Sequence, residues 1–185
     1  MIGRKYQPPP LWCEMGSVAP KRSHDHSKCI AEALAAATEV CRERSVRFTS
    51  LRRQVLELIW TSHEPVGAYD ILKMMNDTAD SRVAPMTVYR AIEFLMQNGL
   101  VHRIASRNAY VGCSHPGASH EGQFLICRHC GCVEEIMEKT ISKALSTGAK
   151  RAGFDAVSSL IEIEGRCRDC REGAGELGEP VTASR

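Results

Sequence analysis

Residues 85–113 read PMTVYRAIEFLMQNGLVHRIASRNAYVGC, and they contain the clearest change of secondary structure in the chain. The first half of this stretch predicts a helix, because apolar residues recur at helical spacing. The buried stripe of that helix is formed by Val88, Ile92, Leu95 and Met96. Pro85 suits the first helical turn, and Gly99 is the residue type favoured just beyond a helix end.

After Gly99 the pattern changes to that of two short strands, over residues 100–105 and 109–113. A two-residue turn at Arg107-Asn108 would set His102 directly opposite Cys113. Side chains in such a cross-strand pair have Cβ atoms about 4.5–5.5 Å apart on one face of the hairpin. The hairpin therefore offers an imidazole and a thiol side by side, which is half of a metal site. The alternative is that both residues only pack.

Helical periodicity also predicts three helices upstream, over residues 28–44, after Thr49 or Ser50, and from Ala68. Helices followed by a small hairpin are the layout of a winged helix-turn-helix, whose last helix enters the DNA major groove. Thr87, Tyr89 and Arg90 lie on the polar face of that helix, and Arg90 can read a guanine edge. Phosphate contacts are expected from Arg52, Arg53, Arg82, Arg103 and Arg107. The alternative is an ordinary solvated helix face.

Charge and composition agree with this interpretation without proving it. Residues 41–112 carry 10 Lys and Arg against 7 Asp and Glu, whereas residues 113–185 carry 9 against 11. A basic first part and a mildly acidic second part fit DNA binding at one end only. No apolar run approaches the roughly 18 residues of a membrane span, and the N-terminus lacks a secretory apolar segment, so we expect a cytoplasmic protein with no membrane partner.

Nine cysteines in such a chain indicate metal or redox chemistry rather than a disulfide framework. Cys127-x-x-Cys130 and Cys167-x-x-Cys170 form two knuckles whose four thiolates suit a closed, structural zinc site. The alternatives are a redox pair resembling that of thioredoxin, or two unrelated pairs. Cys132 is interpreted as a packing residue or a spare thiol.

We therefore expect an α+β fold, with a winged helix-turn-helix domain followed by a small α/β dimerisation domain that carries the four-cysteine zinc site. The expected boundaries are a flexible extension over 1–23, the DNA-binding domain over 24–113, a hinge over 114–122, the dimerisation and metal-binding domain over 123–170, and a disordered tail over 171–185.

Two further groups of metal ligands remain open from the residues alone. His120 with Glu134 or Glu135 can complete the half-site of the hairpin. His24, His26 and Cys29 form a cluster at the start of the first helix, where Asp25 or Ser27 is more simply interpreted as a helix cap. His115 and His129 are expected to face solvent.

Four short motifs in this order resemble the ferric uptake regulator superfamily over about residues 28 to 170. They occupy residues 46–52, 68–72, 87–91 and 127–131. Within the superfamily the chain is most similar to the zinc uptake regulators. Residues 114–120 lack the His-rich run usual in iron and peroxide sensors, and Cys113 closes the wing instead.

This resemblance implies a set of sites and partners. Its regulatory zinc ligands map to His102, Cys113, His120 and Glu135. Tyr69 and Arg90 would contact bases. The chain would bind a near-palindromic operator as a homodimer with two zinc ions per monomer.

The function implied is repression of zinc-uptake genes when zinc is abundant. The alternatives are a sensor of iron, nickel or manganese, or a thiol-based redox regulator. A thiolate ligand favours zinc over manganese or ferrous iron. We expect neither an enzyme nor a small-molecule substrate, because no nucleophile–base pair or phosphate loop is present.

Overall fold

The computed structural model describes residues 26–78, 82–118 and 122–172, which form an α+β fold. The predicted extension over 1–23, His24, His120 and nearly all of the predicted tail lie outside the described residues. So does part of the predicted hinge.

Four helices build the first part of the chain: α1 (His26–Glu43), α2 (Ser50–Ile59), α3 (Ala68–Thr78) and α4 (Pro85–Gln97). The side chain of Thr49 caps α2 by accepting a hydrogen bond from the backbone N–H of Arg52. Apolar stripes of all four helices meet in one core. Its fully buried members include Ala37, Val55, Leu56, Ile71, Met75, Ile92 and Leu95.

A hairpin of β1 (Val101–Ile104) and β2 (Ala109–Gly112) follows α4. Its register pairs His102 with Val111, so the predicted two-residue turn and the direct pairing of His102 with Cys113 are wrong. The turn instead spans Ala105 to Asn108, as a short 3-10 turn closed by Asn108 in the left-handed conformation at φ 47°. Asparagine tolerates that conformation, which permits the longer turn.

The register error amounts to two residues, which leaves every side chain on its predicted face. The N–H of Cys113 donates to the carbonyl of Leu100 at 3.0 Å, which continues the ladder past β2. Cys113 is therefore a diagonal neighbour of His102 on the same face. That face also carries Ile104 and Val111, and it is turned towards the second part of the chain.

The second part is built on a three-stranded sheet in the order β4-β3-β5. The central strand β3 (Gly122–Cys127) pairs antiparallel with β4 (Val133–Glu135) and parallel with β5 (Leu160–Gly165). A parallel neighbour requires a crossover connection, and α5 (Lys139–Arg151) lies within it. A short helix, α6 (Arg168–Glu172), was not predicted and carries Cys170.

The two parts touch through a small apolar core and three sets of polar contacts. Ile104 and Val111 of the hairpin pack against residues of the sheet, which are Phe124, Ile126 and Val133. The N–H of Val133 donates to the carbonyl of His63 at 3.1 Å.

None of the described helices is long and apolar enough to cross a membrane.

The Glu162 carboxylate on β5 accepts the N–H groups of Ala105 and Ser106, at 2.6 and 3.1 Å. Burial alone would raise the pKa of Glu162, but a hydrogen bond from the Ser106 side chain, together with these two backbone hydrogen bonds, outweighs burial and lowers the pKa below its usual value. Glu162 therefore holds the tip of the hairpin as a carboxylate.

Gly112 provides a test of how the hairpin packs on α2. A Cβ at Gly112 would lie 2.1 Å from Cε2 of Trp60, whose side chain is buried. Overpacking of this kind costs about 1–3 kcal/mol. We expect Gly112→Ala to lower the urea concentration at the midpoint of unfolding, which is measured by circular dichroism.

The matched control is Gly148→Ala, because a Cβ there would meet no atom within 4 Å. Alanine in a helix interior is favoured over glycine by about 0.5–1 kcal/mol, so this variant should be unchanged or more stable. A wild-type midpoint for Gly112→Ala would contradict the packing of Trp60 against the hairpin.

Candidate metal centres and nucleic-acid interface

The junction between hairpin and sheet contains a buried carboxylate. Glu135 ends β4, and its Oε1 atom lies 2.9 Å from Nε2 of His102. Its Oε2 atom accepts the N–H of Ser114 at 2.8 Å. The Glu135 side chain is 3% exposed and that of His102 is 18% exposed. The first of these partners belongs to the hairpin, and the second lies two residues beyond the end of β2.

Cys113 completes this group. One potential ligand atom from each of His102, Cys113 and Glu135 lies within 4.8 Å of the others. Burial and the negative charge of Glu135 raise the pKa of the Cys113 thiol far above its ordinary value. A divalent cation reverses that preference, because a coordinating thiol loses its proton. Imidazole, thiolate and carboxylate are all ligands that tetrahedral zinc accepts, so the donor set fits zinc.

The structure thus brings together three of the four residues predicted as regulatory ligands, and the fourth, His120, is outside the described residues. Between the two candidate carboxylates, Glu135 joins the group. Glu134 pairs with Leu125, and successive strand residues face opposite sides of a sheet. Burial raises the pKa of Glu134.

A second group gathers the thiols of Cys127, Cys130, Cys132 and Cys167 within 4.8 Å of one another. The Sγ atom of Cys130 lies 3.2 Å from that of Cys132 and 3.7 Å from that of Cys167. Cys170 is buried, and its thiol hydrogen-bonds with those of Cys167 and Cys127. Four thiols therefore form the group, and Cys170 adjoins two of its members.

Cys132, which was predicted to be a packing residue or a spare thiol, lies within this cluster. The signal was present in the sequence as Cys130-Gly131-Cys132. Gly131 adopts a positive φ of 77°, a conformation that glycine supplies at no steric cost. The turn brings the Cys132 carbonyl to the N–H of Cys127 at 2.9 Å, and its thiol beside Cys130.

The thiols of this cluster differ in how readily they ionise. Burial disfavours the Cys127 thiolate, but hydrogen bonds outweigh burial and lower the pKa of Cys127. One of them comes from the backbone N–H of Cys167 at 3.4 Å. Burial and the neighbouring Cys167 raise the pKa of Cys132 to about 12. Burial and hydrogen bonds to Cys167 and Cys127 raise that of Cys170 to about 11. Metal binding would therefore displace protons from the cluster.

The four residues predicted to bind DNA lie on the surface of α3 and α4. Tyr69, at the start of α3, is 75% exposed, and Tyr89 is 49% exposed. Thr87 and Arg90 are also exposed, whereas Val88 between them is buried. The first turns of α4 therefore present a polar, aromatic face outward, which is the composition required for reading base edges.

Three of the arginines predicted to contact phosphates make contacts within the fold. The Arg53 guanidinium lies over the ring of Phe48, 5.1 Å from its centroid, and donates to the Thr38 hydroxyl at 3.4 Å. The Arg52 guanidinium lies over the ring of Phe94, 3.4 Å from its centroid, and also donates to the carbonyl of Arg47. Arg103 donates to the side chain of Asn108 at 2.8 Å. These three arginines therefore have partners within the fold, although Arg53 and Arg103 are exposed.

Comparisons with known proteins agree on one family. The model of the ferric uptake regulator family matches residues 43–164. The zinc uptake regulation protein of Escherichia coli (strain K12) is 36% identical over 142 residues, which cover 76% of this chain and 82% of that protein.

Two solved structures share both fold and sequence with the chain. A zinc uptake regulator complexed with zinc and DNA matches with a TM-score of 0.73 at 35% identity, over 78% of this chain and 96% of that one. The crystal structure of holo XcZur matches with a TM-score of 0.70 at 37% identity, over 80% and 99%. The chain belongs to the ferric uptake regulator family, and within it to the zinc uptake regulators.

Proposed function

We propose that this protein is a zinc-responsive transcriptional repressor, which binds palindromic operator DNA as a zinc-loaded homodimer and represses zinc-uptake genes in the cytoplasm. The observation that carries the proposal is the meeting of His102 and Cys113 from the hairpin with Glu135 from the sheet. The zinc uptake regulators described above, one of them complexed with zinc and DNA, support it.

The regulatory mechanism follows from the placement of these ligands. When bound, zinc supplies a double positive charge that holds imidazole, thiolate and carboxylate in one coordination sphere. His102 and Cys113 move with α4, because β1 follows that helix directly. Glu135 moves with the sheet. Only conformations that pack hairpin against sheet assemble the ligands, so zinc affinity and the position of α4 are thermodynamically linked. We assign His120 as the fourth ligand.

We further propose the domain division expected from sequence, with a DNA-binding domain over 24–113, a hinge over 114–122 and a dimerisation domain over 123–170. On α3 and α4, we assign Tyr69, Thr87, Tyr89 and Arg90 to base and backbone contacts with the operator. Their exposure on adjoining helices supports this assignment.

Homodimerisation is supported by the apolar surface of the second part. No residue of α5 is buried, although the helix carries an apolar stripe. Exposed large apolar side chains there are Met137, Leu145, Phe154, Val157, Leu160 and Ile163. Exposed apolar surface of this kind marks an interaction site. A second copy would cover it, and a two-fold dimer would read a palindromic operator.

We assign structural zinc to Cys127, Cys130, Cys167 and Cys170. With one zinc ion here and one at the regulatory ligands, each monomer would hold two zinc ions at these two sites. Two knuckles with a spacing of two residues fit a closed four-thiolate site, which has no open position for catalysis. Zinc there would join the end of β3 to α6. An iron, nickel or manganese sensor and a redox regulator are not favoured, because the relatives are zinc uptake regulators and a thiolate suits zinc.

The regulatory site is tested by operator binding. The probe is a labelled duplex selected from a random-sequence pool with the zinc-loaded protein, and the readout is fluorescence anisotropy with zinc or with chelator. Couplings between two ligands commonly change affinity about 5–150-fold, and we expect a zinc effect in this range for the wild type. Glu135→Gln and Cys113→Ser should abolish it, because each removes a negatively charged ligand.

Glu134→Gln is the matched control, because Glu134 adjoins Glu135 in the chain but faces the other side of the sheet. It should retain the zinc response. Equal operator affinity of the wild type with and without zinc would refute zinc sensing.

The structural site is tested by comparing Cys170→Ser with Cys132→Ser. We expect Cys170→Ser to lose one zinc per monomer after mild chelation, measured by elemental mass spectrometry, because it breaks the second knuckle. Cys132→Ser should keep the wild-type zinc content. The reverse result would make Cys132 the fourth ligand in place of Cys170.

The dimer is tested by analytical ultracentrifugation. We expect Ile163→Glu, on the outer strand β5, to sediment as a monomer at micromolar concentration, because a charge would be buried at the interface. Met86→Glu is the control, since Met86 is similarly exposed but lies on α4. A dimer formed by Ile163→Glu would place the interface elsewhere.

A further inference from the structure

A third group of metal ligands lies at the start of α1, and it shares no residue with the two centres described above. His26 is the first residue of α1, and Cys29 follows one turn later on the same face. His63 lies in the turn after α2. One potential ligand atom from each of these three residues lies within 4.8 Å of the others. The rings of His26 and His63 have centroids 4.8 Å apart and are tilted by 47°.

We propose that His26, Cys29 and His63 bind a third zinc ion in each monomer. Two imidazoles and one thiolate are a ligand set that zinc accepts, and a water molecule can complete a three-ligand tetrahedral site. Cys29 is 8% exposed, so the thiol would be held inside the fold, with the partly exposed histidines above it.

The alternative is simple packing of two rings against a small buried thiol. Packing requires only apolar contact, so it gives no reason for the nitrogen and sulfur donor atoms of the three side chains to lie close together. Here one nitrogen or sulfur donor of each residue lies within 4.8 Å of the other two, although the residues come from α1 and from the turn after α2. His26 and Cys29 also precede residue 43, where the match to the family model begins. Two of the three ligands therefore lie outside the part of the chain that the family model describes, and His63 lies within it.

The position of His63 connects this site to the junction. The backbone carbonyl of His63 accepts the N–H of Val133, two residues before Glu135. His63 and Glu135 also line one cavity, together with Trp60, Val111 and Ser114. A metal on the His63 ring would tie α1 to the turn that contacts β4, and would thereby stabilise the packing of hairpin on sheet. This consequence rests on the proposed function, whereas the site itself does not.

The test uses cobalt in a background that separates the third site from the regulatory one. Full-length Cys113→Ser protein, with its structural zinc retained, is titrated with Co²⁺. A thiolate bound to cobalt gives a charge-transfer absorption in the near ultraviolet, and the regulatory site of this variant has no thiolate. We expect one equivalent of cobalt to produce that absorption.

Adding Cys29→Ser should abolish the absorption, and adding His63→Gln should weaken cobalt binding at least tenfold. Cys41→Ser is the matched control, because Cys41 is a buried thiol on the same helix outside all three groups, and it should leave the absorption unchanged. Circular dichroism checks that each variant retains its helices, and His63→Gln provides the test if Cys29→Ser does not fold.

No charge-transfer absorption in the Cys113→Ser background, or its persistence after Cys29→Ser, would overturn the third site. Neither outcome depends on operator binding. The experiment can therefore refute the third metal site without refuting zinc-dependent operator binding. Loss of zinc-dependent operator binding would likewise leave the third site untouched.

Discussion

The contact between the Glu135 carboxylate and the hairpin is the interaction on which the rest of the structure depends. A carboxylate that is 3% exposed is costly unless hydrogen bonds or a cation offset its desolvation. The imidazole of His102 and the N–H of Ser114 both come from the hairpin side. Separating hairpin from sheet would remove both, so the carboxylate links the electrostatics of the site to the arrangement of the two parts.

The apolar packing beneath this contact is small compared with the main core. It consists of four buried side chains, Ile104, Val111, Phe124 and Ile126, with Val133 beside them, whereas the helical core contains 18 buried residues. Interfaces with little apolar burial permit relative motion unless other contacts hold them. The position of hairpin on sheet is therefore controlled by polar groups, namely Glu135, Glu162 and the carbonyl of His63. A ligand that adds contacts at such a junction can shift a population of conformations.

The spacing of apolar residues predicted the helices α1 to α4, and the spacing of the cysteines predicted the two knuckles, because both patterns are local; the short helix α6 was not predicted. Local spacing failed on the hairpin register, since the left-handed conformation of Asn108 and the 3-10 turn before it are not determined by any residue pattern in the stretch. The error was harmless to the site because a shift of two residues preserves the faces of a strand. Glu162 and His63 were missed for another reason. Their contacts lie with hairpin and sheet residues far along the chain, which local patterns do not reveal.

The net charges of the proposed regulatory site and the proposed four-cysteine site differ when zinc is bound, and this difference favours the regulatory site as the sensor. Zinc with one thiolate, one carboxylate and two imidazoles is neutral, and the junction that would hold it is the most buried of the three, with Cys113 2% exposed. Four thiolates with zinc leave two negative charges, and two of the assigned cysteines, Cys130 and Cys167, are partly exposed. Arginines 128, 166 and 168 adjoin these knuckles in the chain. A buried site tolerates a neutral complex far better than a charged one. In the proposed function, zinc would allow these ligands to be buried together as a neutral complex, and this would favour the packing of the hairpin on the sheet.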